Sequence, residues 1–217
     1  MSLISHKVTV IDYGIGNLFS VKRSLEVCGA SVIITSNPLE ILRSERLVLP
    51  GVGAFHEGMK QLKARGLDDV LKEYSRLNRP LLGICLGMQM FADTSEEFGL
   101  VSGLGIVSGK VVSIPTFSTT GERLKVPRVG WYNLTQVVNG CNWKTSILNG
   151  ISESDELYLV HSYSMLPTHD AHRLAGSLYG GHDLCVSIQK DNIFGCQFHP
   201  EKSGIIGHRI LTAFLKL

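Results

Sequence analysis

The chain has 217 residues, of which 44% are hydrophobic and 18% are charged, and its formal net charge is +2. This length and apolar fraction suffice for a sizeable core, so we expect residues 1–217 to form a single domain. The 21 basic and 19 acidic residues are interleaved, which argues against nucleic acid or a membrane as a partner. No apolar stretch approaches the roughly 20 residues of a membrane span, and the N-terminal MSLISHK lacks the layout of a secretory leader.

The number and spacing of the cysteines indicate the cellular compartment and whether a metal site is expected. They stand at positions 28, 85, 141, 185 and 196, and no pair has the Cys-x-x-Cys spacing. An odd number in a chain of this length argues against a disulfide framework and favours a reducing, cytoplasmic location. The spacing also offers no zinc template, so we expect neither a metal nor a cofactor.

The first half of the chain alternates short β-rich segments with amphipathic ones. Strands are predicted over 8–12, 32–35, 47–49 and 81–84. Helices are predicted over 18–28, 54–65 and 67–77. This order predicts a three-layer α/β fold, in which helices flank a mostly parallel open sheet.

The second half is richer in hairpins, because short strands there are separated by Gly, Asn and Asp turns. Strands are predicted over 107–114, 132–138, 157–160, 175–178, 186–188 and 193–198. A polar surface loop is expected over 115–125, and a last helix over 207–216.

A cysteine stands at the end of the fourth predicted strand, in the segment Gly83-Ile-Cys-Leu-Gly87. The form G-x-C-x-G is the thiol counterpart of the nucleophile elbow, a tight strand-to-helix turn that displays its central side chain. The glycines let strand and helix approach closely, and the positive end of the following helix favours a thiolate. Cys85 is therefore a candidate nucleophile, and a buried packing cysteine beside two turn glycines is the alternative.

A thiol nucleophile needs a general base, and the base needs a group that orients it. His199 and Glu201 stand two residues apart after an apolar strand, and Pro200 favours extended backbone between them. Side chains two apart on extended backbone share a face, so Glu201 can bind one imidazole nitrogen while the other faces Cys85. His161 also ends an apolar strand and is the rival base, although no carboxylate lies within two residues on its side.

Acyl chemistry also needs donors for a developing oxyanion. Leu49-Pro-Gly-Val-Gly-Ala54 lies between a strand and a helix, and its glycines would let a backbone N–H turn toward the reacting carbonyl. A plain strand–helix turn is the alternative. Gly14-Ile-Gly16 does not begin a dinucleotide-binding fingerprint, because position 19 is Phe.

Diagnostic stretches occur over nearly the whole chain: VIDYGIGNLFSV, LPGVGAF, LLGICLGMQ, SEEFG, LKVPRVGW, YLVHSYS and DNIFGCQFHPEKSG. In this order they resemble the class I glutamine amidotransferases, and more narrowly the glutaminase subunit of imidazole glycerol phosphate synthase. The resemblance implies a glutamine-hydrolysing triad of Cys85, His199 and Glu201 that releases ammonia by way of a glutamyl thioester.

The resemblance also implies roles for residues around the triad. The oxyanion donors would be the Val52–Gly53 peptide and the Leu86 N–H. The residues expected to hold glutamine are Gly51, Gln89, Glu97, His161, Ser162 and Tyr163, the last three through backbone contacts. Those expected to meet a partner subunit are Asn17, Arg128 and Trp131. Two residues depart from the family on the presumed partner side, because Arg128 stands where His is usual and Tyr132 where Asn is usual.

The implied partners are L-glutamine and a (β/α)8-barrel cyclase subunit, which would form a heterodimer with this chain and receive its ammonia in histidine biosynthesis. One alternative keeps the glutaminase and changes the barrel to a paralogue that amidates a bacterial surface sugar. A second is a non-catalytic subunit that only binds a barrel. A third is a cysteine peptidase or esterase on a similar scaffold, against which Gln89 and Glu97 favour a small amino-acid substrate.

Overall fold

The computed structural model describes residues 6–217. Residues 1–5, on which the argument against a secretory leader partly rests, lie outside this range. The strands are β1 His6–Ile11, β2 Ala30–Thr35, β3 Leu47–Leu49, β4 Leu81–Ile84, β5 Thr94–Ser95, β6 Val101–Ser102, β7 Gly109–Ser113, β8 Arg128–Asn133, β9 Glu156–His161, β10 Tyr163–Pro167, β11 Arg173–Tyr179, β12 His182–Lys190 and β13 Ile193–Cys196. The α-helices are α1 Leu18–Val27, α2 Pro38–Arg43, α3 Phe55–Ala64, α4 Leu67–Ser75, α5 Leu86–Gln89 and α6 Gly204–Leu215.

A seven-stranded sheet in the order β11-β12-β13-β4-β3-β1-β2 forms the middle of the molecule. From β13 to β2 all neighbouring strands are parallel, whereas β11, β12 and β13 pair antiparallel. The predicted α/β fold is thus confirmed: the four main-sheet strands of the first half and β13 form the parallel part, and the antiparallel strands of this sheet come from the second half.

Helices cover both faces of this sheet, because alternate residues of the buried strands point to opposite sides. Val48 packs in one apolar cluster with side chains of α1 and α6. Leu47 and Leu49 pack in a second cluster with side chains of α2, α3 and α4. The three predicted layers follow from this alternation.

Two smaller sheets stand beside the main one. The first has the order β10-β7-β5-β6, and the second is the antiparallel pair β8-β9, in which Arg128 lies opposite His161. No helix among residues 6–217 is long and apolar enough to cross a membrane.

Several predicted bounds and elements differ from the structure, and two cases have a clear physical reason. The strand predicted over 132–138 lies at Arg128–Asn133 instead, because Asn133 pairs with Glu156, the first residue of β9, and the ladder ends there. The helix α2 is not among the predicted elements, since Asn37-Pro38 indicated only a strand end. Asn37 accepts a hydrogen bond from the Leu39 N–H, and Pro38 occupies the first helical position, which is a helix-start signal.

The parallel strands bring their carboxyl ends to one edge of the sheet. In register, Leu49 lies beside Gly83 and Gly83 beside Gly195, so the residues that follow β3, β4 and β13 emerge together. Such an edge is where open α/β sheets bind ligands. Cys85, the Gly51 loop and the segment leading to His199 all leave the sheet there.

Close approach of backbone explains the glycines on either side of Cys85. A side chain at Gly87 would overlap the Leu49 carbonyl oxygen, and one at Gly83 would collide with Phe91 and the Met88 amide. The predicted function of these glycines, tight packing of strand against helix, is what the structure shows.

Gly87→Ala should therefore destabilise the protein strongly, because the new methyl group has no space between α5 and β3. We expect a loss of about 3 kcal/mol in the free energy of unfolding, measured by urea denaturation. Gly29→Ala is a suitable control, because Gly29 has φ +92° but an added Cβ there would have no atom within 4 Å. It should lose only about 1 kcal/mol, and equal losses would contradict the packing argument.

Candidate active site

Cys85 occupies a backbone conformation that L-residues rarely adopt, with φ 54° and ψ −110°. Its N–H donates to the Cys196 carbonyl at 2.6 Å, which ties the turn to the neighbouring strand β13. The side chain is 9% exposed and lines a cleft of about 260 Å³. A strained turn of this kind at a strand end is the geometry of a nucleophile elbow.

The helix that follows contributes less than the sequence suggested. It spans only Leu86–Gln89, so it carries a small dipole. The Leu86 N–H, expected as an oxyanion donor, donates instead to the Gly51 carbonyl at 3.3 Å. The Gly51 carbonyl belongs to the Gly51–Val52 peptide, so this peptide, rather than the Val52–Gly53 peptide, accepts the Leu86 hydrogen bond. Its rotation would free the Leu86 N–H and turn the Val52 N–H around.

His199 and Glu201 form a buried pair at the same edge. Their side chains are each 2% exposed, and Nδ1 of His199 lies 2.8 Å from Oε1 of Glu201. A carboxylate only accepts, so Nδ1 carries the proton and Nε2 is the nitrogen left for Cys85. Within residues 6–217 no hydrogen-bond partner satisfies Nε2.

The charge of His199 follows from these neighbours. Burial alone would lower the pKa of the imidazole, but interactions with the Cys85 side chain and with Glu201 outweigh it and raise the pKa to about 9. A raised pKa favours imidazolium beside thiolate, the protonation state that a cysteine nucleophile needs.

Gln197 is a site residue that the sequence argument missed. Its side chain is fully buried, and its Nε2 lies 3.6 Å from Sγ of Cys85. Its Oε1 accepts from Nε2 of Gln89 at 2.8 Å. The expected extended backbone from His199 to Glu201 is wrong, because Pro200–Lys202 form a short 3-10 helix, although the two side chains still meet. Gln197 stands two residues before His199 and both line the cleft, so this spacing was a signal present in the sequence.

His161 lies in the same cleft but in a different electrostatic state. The pKa of its imidazole is lowered to about 4, chiefly by burial; a hydrogen bond to the Tyr163 carbonyl opposes this, and the nearby charge of Arg128 adds to it. Nδ1 lies 2.9 Å from that carbonyl, so Nδ1 carries the proton and Nε2 is an acceptor. A neutral imidazole without a carboxylate behind it suits a general base less well than His199.

The other residues expected to hold substrate gather around the cleft. Its lining includes Val52, Gly53, Leu86, Gln89, Glu97, His161, Ser162 and Tyr163. Oε2 of Glu97 accepts from the Phe55 N–H at 2.7 Å and so caps helix α3. Gly51 lies behind the cleft wall, where a side chain would collide with the Tyr13 hydroxyl.

The expected partner contacts divide into exposed and buried side chains. Trp131 is 50% exposed, and Asn17 caps helix α1 by accepting from the Ser20 N–H. The expectation that Arg128 lies on a partner-facing surface is wrong, because its side chain is fully buried. Its guanidinium stacks on the Tyr132 ring at 3.9 Å from the ring centre and donates to Ser177 at 2.7 Å.

The fold and the site together define an α/β protein with a thiol, an imidazole and a carboxylate aligned at the carboxyl edge of a parallel sheet. Comparison with known families then makes the assignment specific, because the family described as Glutamine amidotransferase class-I matches residues 9–216. The chain belongs to this family.

Named relatives cover nearly the whole chain. The imidazole glycerol phosphate synthase subunit HisH 1 of Legionella pneumophila is 44% identical over 97% of this chain and 99% of its own length. Subunit HisH of Geobacillus thermodenitrificans is 42% identical over 96% of this chain and 94% of its own length.

Solved structures share the fold. A putative GMP synthase subunit from Thermoplasma acidophilum aligns with a TM-score of 0.69 at 21% identity, over 98% of this chain and 93% of that one. PurLQS from Thermotoga maritima aligns with a TM-score of 0.67 at 17% identity, over 98% and 99% of the two chains.

The pKa of His161 gives a testable acid sensitivity. Because the folded value, about 4, lies below the ordinary 6.5, the neutral ring stabilises the fold fully above pH 6.5 and less as pH falls toward 4. Between pH 6.5 and 4.5 the wild type should lose about 2–3 kcal/mol more than His161→Asn, whose amide can still donate to Tyr163. Urea unfolding at both pH values measures the difference, and parallel losses would contradict a neutral buried His161.

Proposed function

We propose that the chain hydrolyses L-glutamine to glutamate and ammonia, and that it does so as the glutaminase subunit of an imidazole glycerol phosphate synthase. The observation that carries the proposal is that Cys85 shares one cleft with the imidazole of His199, whose Nδ1 lies 2.8 Å from Glu201. The 44% identity to a relative with that subunit name supports the narrower assignment. This proposed function implies that the protein acts in the cytoplasm.

In the first half-reaction, Nε2 of His199 holds the proton of Cys85 and the sulfur attacks the side-chain amide carbon of glutamine. The amide oxygen becomes an oxyanion, which needs backbone donors. The imidazolium then gives its proton to the amide nitrogen, the carbon–nitrogen bond breaks, and ammonia leaves a glutamyl thioester on Cys85.

In the second half-reaction, neutral His199 takes a proton from water as the oxygen attacks the thioester carbon. The sulfur leaves as thiolate, glutamate is released, and the imidazolium–thiolate pair is restored. Glu201 supports both halves, because its carboxylate keeps the proton on Nδ1 and stabilises the charged ring. No step requires a metal or a cofactor.

We further propose that the ammonia passes to a (β/α)8-barrel cyclase in a heterodimer. Ammonia released into water at neutral pH is protonated and loses its nucleophilicity, so a covered path is chemically favoured. An aromatic series runs from the surface to the site: Trp131 packs on Tyr158 at 5.9 Å, and Tyr158 lies 6.5 Å from His199. A half-exposed tryptophan beside the cleft is a suitable anchor for a partner.

The two departures from the family pattern do not favour a different barrel. Arg128 is buried and its guanidinium stacks on Tyr132, so the two residues pack against each other inside the chain. The barrel of the histidine pathway therefore remains the proposed partner ahead of a surface-sugar amidating paralogue.

The nucleophile can be tested with the electrophilic glutamine analogue 6-diazo-5-oxonorleucine. We expect it to modify Cys85, as mapped by peptide mass spectrometry, and Cys85→Ala to abolish both labelling and glutamine turnover. Cys28→Ala is the matched control, because Cys28 is half-buried and remote from the cleft; it should label and turn over as the wild type does.

Glutamine turnover also shows which of the two histidines is the general base. His199→Asn should reduce turnover by about 10²–10⁴-fold, the usual contribution of a general base, whereas His161→Asn should cost less than about tenfold. The reverse ranking would show that His161 is the base.

The occupied Leu86 N–H predicts that the chain alone hydrolyses glutamine slowly. A barrel partner with bound ligand should accelerate turnover by about 10²–10³-fold, which is the usual effect of an oxyanion donor. Val52→Pro removes the N–H that rotation would present, so it should bind the partner without acceleration, while Val52→Ala keeps the acceleration. Equal rates with and without partner in steady-state assays would refute the mechanism.

A further inference from the structure

The side chain of Gln197 contacts the Cys85 sulfur but has no function in the proposed reaction steps. Gln197 follows β13, is fully buried, and reaches the sulfur with its side-chain nitrogen at 3.6 Å. Burying an amide is unfavourable unless its hydrogen bonds are made, so the position of Gln197 in the wall of the cleft calls for a partner on each arm.

A backbone carbonyl fixes which arm of Gln197 faces the sulfur. The Tyr163 carbonyl can only accept, so the Gln89 atom 3.1 Å from it is nitrogen. That nitrogen also lies 2.8 Å from Gln197, so the Gln197 atom facing it is oxygen. The remaining arm of Gln197, toward Cys85, is then an NH2 group, because the opposite orientation would set two donors against each other.

Few other donors are free to serve this sulfur. The Tyr13 hydroxyl is close enough for Cys85 to contribute to the raised pKa of that phenol, but it donates to the Pro50 carbonyl at 2.9 Å. The Leu86 N–H donates to Gly51. His199, backed by Glu201, is the charged group at the sulfur, and its proton moves during the reaction.

We propose that Gln197 donates a stationary hydrogen bond to the Cys85 sulfur, oriented by Gln89, and so holds the thiolate in position for attack while the His199 proton is transferred. The inference rests on the proposed function, since it names a further residue of the same site. Gln89 is also expected to bind substrate, so the series Gln89–Gln197–Cys85 joins substrate recognition to the nucleophile.

The test compares two substitutions at one position. Gln197→Glu keeps an acceptor for Gln89 but replaces the donor with a negative oxygen; Gln197→Met keeps the volume and removes both polar atoms. We measure the pH profile of iodoacetamide alkylation of the Cys85 peptide by mass spectrometry, together with kcat and KM for glutamine. Gln189→Met is the matched control, because Gln189 is half-buried on β12 and outside the cleft.

We expect the alkylation profile to move to higher pH by about one unit in Gln197→Met, and further in Gln197→Glu because of the added like charge. A loss of one such unit corresponds to a tenfold weaker hold on the charged form. The kcat should fall about tenfold or more with KM changed less than about threefold. Gln189→Met should match the wild type in every measurement.

Unchanged alkylation profiles in folded Gln197 variants would overturn the inference even if glutamine is still hydrolysed. Shifted profiles in the Gln197 variants, combined with a wild type that does not hydrolyse glutamine, would instead refute the proposed function and leave the hydrogen bond standing. If the Gln197 variants do not fold, the wild type can be tested instead. In protein labelled with ¹⁵N at its glutamine side chains, one side-chain NH2 resonance should shift over the same pH range in which Cys85 alkylation rises. If no such resonance shifts, the inference is overturned.

Discussion

The left-handed backbone of Cys85 is the constraint on which the rest of the site depends. Such a conformation costs on the order of 1–3 kcal/mol and persists only where the surroundings enforce it. Here the enforcement is steric and comes from the sheet, since Gly83 and Gly87 let α5 press against Leu49 of β3. The hydrogen bond from the Cys85 N–H to Cys196 adds the other neighbouring strand. Remove either strand and the sulfur no longer faces the cleft.

The two histidines of the cleft are both buried, yet the groups beside them give their imidazole rings different charges. Desolvation lowers the pKa of both rings. For His199 the thiol and the carboxylate outweigh desolvation, and the pKa reaches about 9. For His161 burial dominates and the nearby cation of Arg128 acts in the same direction, so the pKa stays low, at about 4. One ring is thus prepared to hold a proton beside a thiolate, and the other to stay neutral as part of the wall.

The layered fold and the three reacting groups could be predicted from the sequence, because both depend on local patterns. These patterns are the alternating apolar segments, a glycine-flanked cysteine and the His-x-Glu motif. Contacts between distant segments could not be predicted in this way. The hydrogen bond from Arg128 to Ser177, the capping of α3 by Glu97 and the donation from Leu86 to Gly51 each depend on segments far apart in the chain. Gln197 lies between these cases, since its alternation with His199 was visible but its bond to Gln89 was not.

The resting state of the oxyanion loop follows from the rule that buried backbone donors are paired. In the isolated chain the Gly51 carbonyl pairs with the Leu86 N–H, so the inactive arrangement leaves this donor satisfied. An oxyanion on Cys85 is a competing acceptor for the same N–H, and rotation of the Gly51–Val52 peptide exchanges one acceptor for the other. Gly53, at φ +97° and with no atom within 4 Å of an added Cβ, leaves room for that rotation. Because both arrangements satisfy Leu86, a partner that binds one of them only modestly better is enough to shift the balance between them.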